Sequence, residues 1–91
     1  MQYNIKITTM KGEATKGTPS RMMGSSMVNN IVNEEMTVGQ IKEFVKGTNN
    51  IKDYTNDEII SAVLLVKGEE AKDDNVKVPE RTFINYVLTI K

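Results

Sequence analysis

The chain has 91 residues, a length that suits one domain, which we place at residues 1–91. Twelve basic and twelve acidic side chains give a net charge of zero, and this argues against a dedicated nucleic-acid binder, because such proteins rely on Lys and Arg to neutralise phosphates. The chain has no cysteine and no histidine, which excludes thiolate nucleophiles, imidazole acid–base chemistry and Cys/His zinc sites. We therefore expect a protein that is not an enzyme and that needs no cofactor or metal.

The sequence also gives no sign of a membrane protein. No apolar run approaches the ~18 residues that a membrane-spanning helix needs. The first four residues lack the pattern of a signal peptide. We expect a cytoplasmic protein with no membrane partner.

The first predicted element is a half-buried strand at residues 1–8. Its apolar residues fall at every second position, which is the period of a strand: Tyr3, Ile5 and Ile7. The next stretch, Lys11 to Ser26, is rich in Gly, Ser, Thr and Lys, so we predict a long loop or a flexible hairpin tip. Residues 27–32 resume a weak strand pattern.

A helix is predicted from about Val38 to Lys46. Thr37 and Gln40 fit a capping box, in which each side chain accepts a hydrogen bond from the other residue's backbone N–H. One apolar stripe follows at helical spacing: Val38, Ile41 and Val45. Gly47 comes directly after Lys46, and we expect it to end the helix as a left-handed C-cap.

The last third of the chain predicts two further strands. Residues 55–58 suit the cap of a short helical turn at Ile59–Ile60, and residues 63–66 form a β-branched apolar run that ends at Lys67–Gly68. The competing interpretation continues a helix through residues 56–65, and we favour the strand. Residues 83–90 predict a strong final strand whose apolar face is formed by alternate residues: Ile84, Tyr86, Leu88 and Ile90.

Three segments resemble the ubiquitin-like (β-grasp) superfamily. Residues 32–42 look like the end of ubiquitin's second strand, the link and the helix start, and the positions that match in kind are Thr37, Val38, Ile41 and Lys42. Residues 64–73 resemble the family's Leu-Ile-Phe-x-Gly-Lys-x-Leu-x-Asp segment, and residues 86–90 resemble its last strand, Leu-Val-Leu-Arg-Leu. The resemblance implies an α+β fold, with a mixed four- to five-stranded sheet packed on one main helix at about residues 38–46. The chain departs from the family by a long insertion in the loop between the first two strands, and by Asn30 where the family buries an apolar residue.

The resemblance also limits the function. Conjugation and sulfur-carrier chemistry in this family require a C-terminal Gly-Gly, whereas this sequence ends Thr89-Ile90-Lys91. We therefore expect a divergent, non-conjugating member. The family grips its partners through one apolar residue on the third strand and one on the last strand, and these positions hold Leu65 and Val87. We expect Val63 and Asn85 to belong to the same protein-binding surface.

Two apolar side chains on a sheet face are able to anchor a helix of a partner. The alternative is that the first loop buries both, with its methionines folded back over the sheet: Met22, Met23 and Met27.

Our leading hypothesis is a non-catalytic interaction module, an adaptor or a complex subunit, that is monomeric and binds a protein of unknown identity. The second hypothesis is a small structural protein that self-associates through an edge strand. The third is a small inhibitor of a host enzyme or defence protein.

Overall fold

A computed structural model of the chain describes residues 1–12, 21–49 and 51–91. Within those ranges it contains seven strands and one helix: β1 (Gln2–Lys11), β2 (Arg21–Ile31), β3 (Met36–Thr37), α1 (Val38–Lys46), β4 (Ile59–Val66), β5 (Glu69–Glu70), β6 (Lys77–Val78) and β7 (Ile84–Ile90). None of the described helical residues forms a helix long and apolar enough to cross a bilayer.

The main sheet is mixed and, over the described residues, has five strands in the order β2-β1-β7-β4-β5. β7 lies in its centre, parallel to β1 and antiparallel to β4. The remaining two strands, β3 and β6, form a separate antiparallel pair. This α+β layout, with the last strand beside the first, is compatible with the β-grasp that the sequence predicts.

The core lies between one face of the sheet and α1. Alternate residues of β1 and β7 are buried, as their period of two predicts: Tyr3, Ile5, Ile7, Ile84, Tyr86, Leu88 and Ile90. α1 contributes the predicted stripe to the same cluster: Val38, Ile41 and Val45. Apolar side chains from one helix and one sheet face thus close a single two-layer core.

The helix has the predicted bounds, but the conformation of its C-cap differs from the prediction. The Gln40 N–H donates to Thr37 Oγ1 at 3.2 Å and the Thr37 N–H donates to Gln40 Oε1 at 2.9 Å, which confirms the capping box. The prediction of a left-handed C-cap is wrong, because Gly47 has φ −83° and ψ −4°. Its N–H instead continues right-handed geometry by donating to the Glu43 and Phe44 carbonyls, at 3.3 and 3.2 Å.

β4 is longer than the sequence predicts. It begins at Ile59, so the expected helical turn at Ile59–Ile60 is absent, and the alternative helix over residues 56–65 is wrong. Thr55 and Glu58 form a turn before the strand, in which the Thr55 N–H donates to Glu58 Oε1 at 3.1 Å. The predicted stop is confirmed at Lys67–Gly68, where φ values of 55° and 83° make a tight turn between β4 and β5.

The predicted loop at Lys11–Ser26 is wrong over residues 21–26, which belong to β2. They pair with β1 up to Lys11, so backbone hydrogen bonds to a neighbouring strand outweigh the weak strand propensity of Gly and Ser. Residues 13–20 of that loop lie outside the described part of the chain.

A buried tyrosine joins the small β3–β6 pair to the main sheet. The Tyr3 hydroxyl donates to the Val78 carbonyl and accepts from the Met36 N–H at 3.0 Å. Asn30, the departure from the family pattern, is only partly buried and donates its amide to Met36 Sδ at 3.4 Å. The thioether sulfur of the buried Met36, a weak hydrogen-bond acceptor, therefore accommodates the polar Asn30 side chain.

Candidate protein-binding face

The main sheet presents one side to α1 and has a second side, which we call the outer face. In β1, β4 and β7 the residues between the buried positions point to this face, because successive side chains of a strand alternate. The described residues include no helix on that side. The outer face is thus the surface that carries the predicted binding residues.

The structure brings the four predicted binding residues together. Val63 on β4 lies directly opposite Val87 on β7, and Leu65 lies directly opposite Asn85. Residues opposite each other in an antiparallel pair have Cβ atoms about 4.5–5.5 Å apart, and diagonal neighbours about 7–8 Å. All four side chains therefore form one continuous surface, which together with Thr8 we call the outer patch.

The outer patch is less exposed than the sequence suggests. Its apolar residues, Val63, Leu65 and Val87, are each partly buried. Val87 and Leu65 have a neighbouring strand on both sides, whereas Val63 lies beyond the end of β5 and is flanked only by β7. Truncating them therefore removes packing as well as binding surface.

The described residues contradict the alternative in which three methionines fold back over Leu65 and Val87. Met22, Met23 and Met27 lie in β2, at the end of the sheet, and are 60%, 54% and 58% exposed. Met27 pairs with Lys6 on β1, and two strands, β1 and β7, separate it from Leu65 on β4. Strand geometry holds the Met27 side chain roughly perpendicular to the sheet, so it stands beside the outer patch and not over it.

Thr8 is a member of the outer patch that the sequence does not single out. It lies opposite Val87 in the parallel β1–β7 pair and is only 5% exposed. Its hydroxyl donates to Asn85 Oδ1 at 2.9 Å, which holds the Asn85 amide in place. The alternating pattern of β1 assigns Thr8 to the polar side of the strand. No feature of the sequence around Thr8 indicates that residues of the neighbouring strands bury it.

Charges lie at two sides of the outer patch and not in it. Lys6 on β1 pairs with Asn85, and Glu70 on β5 pairs with Leu65. One row of paired residues across the sheet therefore has the Lys6 cation at one end, two residues of the outer patch in the middle and the Glu70 carboxylate at the other end. An apolar, uncharged centre with a charged rim is the usual anatomy of a protein interface.

Other polar groups have structural explanations. The Asp73 carboxylate accepts from the Asn75 N–H at 3.0 Å, and Asp74 forms an ion pair with Lys42 at 2.8 Å. On the inner side, burial raises the pKa of Tyr86, opposed by Lys42 and reinforced by Glu43. Tyr86 thus stays neutral at physiological pH.

Comparison of the chain with protein-family models, with curated proteins and with solved structures finds no match. The function is therefore argued from the geometry of the outer patch and from the sequence resemblance alone.

Proposed function

We propose that this protein is a ubiquitin-like, β-grasp interaction module that acts as an adaptor or complex subunit and binds a helix of a partner protein on its outer patch. The observation that supports the proposal most directly is the juxtaposition of Val63, Leu65 and Val87 on the central strands, with charges only at the sides.

The spacing of the charges fits a helix. Lys6 and Glu70 lie in one row on β1 and β5, three strand spacings apart. At about 4.8 Å per strand this is about 14 Å, slightly more than the 10–12 Å diameter of a helix with its side chains. A helix along β7 and β4 would set its apolar stripe on the outer patch, with an acidic residue toward Lys6 and a basic residue toward Glu70.

The experiment is affinity capture from the native host with the Leu65→Thr/Val87→Thr variant, followed by binding measurements on each purified candidate. Threonine is β-branched and has a high strand propensity, and both sites reach solvent, so the added hydroxyls stay hydrated. We expect a loss of at most about 1 kcal/mol per site in stability, well below the cost of truncating a core residue. Val76→Ala is the matched control, since Val76 is 52% exposed and lies outside the main sheet.

Three results support the proposal together. A protein is retained by the wild type and by Val76→Ala but lost by the double variant. The purified partner shifts the backbone amide signals of residues 63, 65, 85 and 87. Lys6→Glu weakens binding, and reversing the facing charge of the partner restores it. The proposal fails if every captured protein binds the folded double variant as well as the wild type.

A further inference from the structure

β2 is a long strand at one edge of the main sheet. It is 11 residues long, stands at the end of the main sheet and has β1 as its neighbour. Within the described residues no other strand pairs with it, and nine of its residues are exposed, all but Val28 and Asn30. An exposed edge of this length offers a row of backbone groups to another chain.

The backbone groups that face outward can be identified. Met1 and Val32 exchange two hydrogen bonds, with the Val32 N–H donating to the Met1 carbonyl at 2.9 Å and the Met1 amino group donating to the Val32 carbonyl at 2.6 Å. Bonded and non-bonded pairs alternate in an antiparallel ladder. The even-numbered residues of β2 therefore bond to β1, and the odd-numbered residues turn N–H and C=O away from it: Ser25, Met27, Asn29 and Ile31.

Between Ser25 and Ile31 this edge lacks the usual protection against pairing. From Met22 to Ile31 the strand has no charged residue and no proline. Met27 and Ile31 are 58% and 78% exposed. The ladder with β1 shifts register at Thr9/Met10, so the regular part of the edge runs from about Ser25 to Ile31. Natural proteins usually blunt such edges with Lys, Pro or bulges.

We propose that β2 pairs antiparallel with β2 of a second copy of this chain, around a two-fold axis at Met27. In this register Met27 faces its counterpart and Ser25 faces Asn29 of the other copy. The outward N–H and C=O groups of one copy therefore lie opposite those of the other and can form hydrogen bonds with them. A second copy is favoured because the paired segments bring no like charges together, and because the chain has zero net charge and hence no overall repulsion between copies. Such a dimer differs from the monomer of the leading hypothesis, gives a register to the edge-strand self-association of the second hypothesis, and does not depend on the proposed function.

The dimer has a consequence for the outer patch. A two-fold axis perpendicular to the sheet joins both sheets edge to edge and leaves both outer faces on the same side. From β7 to its counterpart there are five strand spacings, which is about 24 Å. The two outer patches would then face the same partner surface side by side.

The first test is sedimentation equilibrium of the full chain from 10 µM to 1 mM. We expect the mass to rise from 10.2 kDa to twice that value. Met27→Pro should remain monomeric throughout, because Pro lacks the outward N–H and the bonds to β1 come from even-numbered residues. Met27→Thr is the control, which keeps that N–H and should still dimerise.

The second test uses the absence of native cysteine. Under oxidation, Met27→Cys should cross-link into a dimer, because the two Cα atoms are about 5.5 Å apart in a bonded pair and a disulfide spans 4.4–6.8 Å. Ile31→Cys should not, since the two copies of that position would lie about 26 Å apart along the strands. A wild type that stays monomeric at 1 mM overturns the proposal, as does a dimer in which Ile31→Cys cross-links as readily as Met27→Cys. If Met27→Pro does not fold, the cross-linking pair still decides between these outcomes.

Discussion

Replacing Tyr3 with Phe removes one oxygen atom that holds the β3–β6 pair against the main sheet. The hydroxyl serves two backbone groups, the Val78 carbonyl and the Met36 N–H. Tyr3, Val78 and Met36 are 1%, 2% and 6% exposed, so water has little access to replace it. A buried polar group that loses its partner costs about 1–3 kcal/mol, and two groups are affected here. We expect a loss of about 2 kcal/mol, which for a domain of this size lowers the Tm by about 8–16 °C.

Thermal unfolding followed by circular dichroism, with urea unfolding as a second measurement, gives this difference directly. Tyr54→Phe is the matched control, since Tyr54 is partly buried against the same core and its hydroxyl makes no hydrogen bond within the described residues. Its Tm should change by little more than the error of the measurement. The reasoning is refuted if both variants lower the Tm equally, because the Tyr3 hydroxyl would then contribute no more than a solvated one.

Three further predictions concern the caps, the turn and the pH dependence. Thr37→Ala removes the acceptor for the Gln40 N–H and should lower the free energy of unfolding by about 1 kcal/mol in urea titrations; an unchanged midpoint contradicts this. Gly68→Ala should cost about 1–2 kcal/mol because φ is 83°, whereas Gly24→Ala, with open space and no positive φ, should be neutral or stabilising; equal effects would exclude the backbone explanation. Burial raises the pKa of Tyr86 in the folded state, so the neutral Tyr86 side chain contributes its full stability below pH ~10, and this stability is lost as the pH rises further. Tyr86→Phe should therefore flatten the alkaline decline of the Tm.

The elements that the sequence predicts correctly are those with a local physical signal. The alternation in β1 and β7 follows from burial of one face, and the capping box depends only on Thr37 and Gln40. The central position of the last strand has no local signal and depends on the pairing of β7 with β1 and β4.

The errors occur where non-local contacts decide. Residues 21–26 have poor strand propensity, and only their pairing with β1 extends β2 that far. The prediction for Gly47 fails because a glycine permits a left-handed C-cap without requiring one. For the outer patch, the sequence places Val63 and Leu65 on the right strand, but their partial burial and the role of Thr8 depend on neighbouring strands.

The outer patch and the outward-facing edge of β2 can be tested separately because they are distinct parts of one sheet. Val87 and Met27 lie on strands separated by β1, about 10 Å apart across the sheet, a distance at which effects of substitutions usually add. If both proposals hold, Met27→Pro should leave the affinity for a soluble partner helix unchanged. It should, however, weaken retention on a surface densely coated with that helix by about 100-fold or more. The reason is that a monomer has only one patch, so no second patch binds at high effective concentration. Val87→Thr with Leu65→Thr should weaken both measurements. A Met27→Pro variant that loses affinity for the soluble helix would show that the edge belongs to the binding site and that patch and edge are not separate.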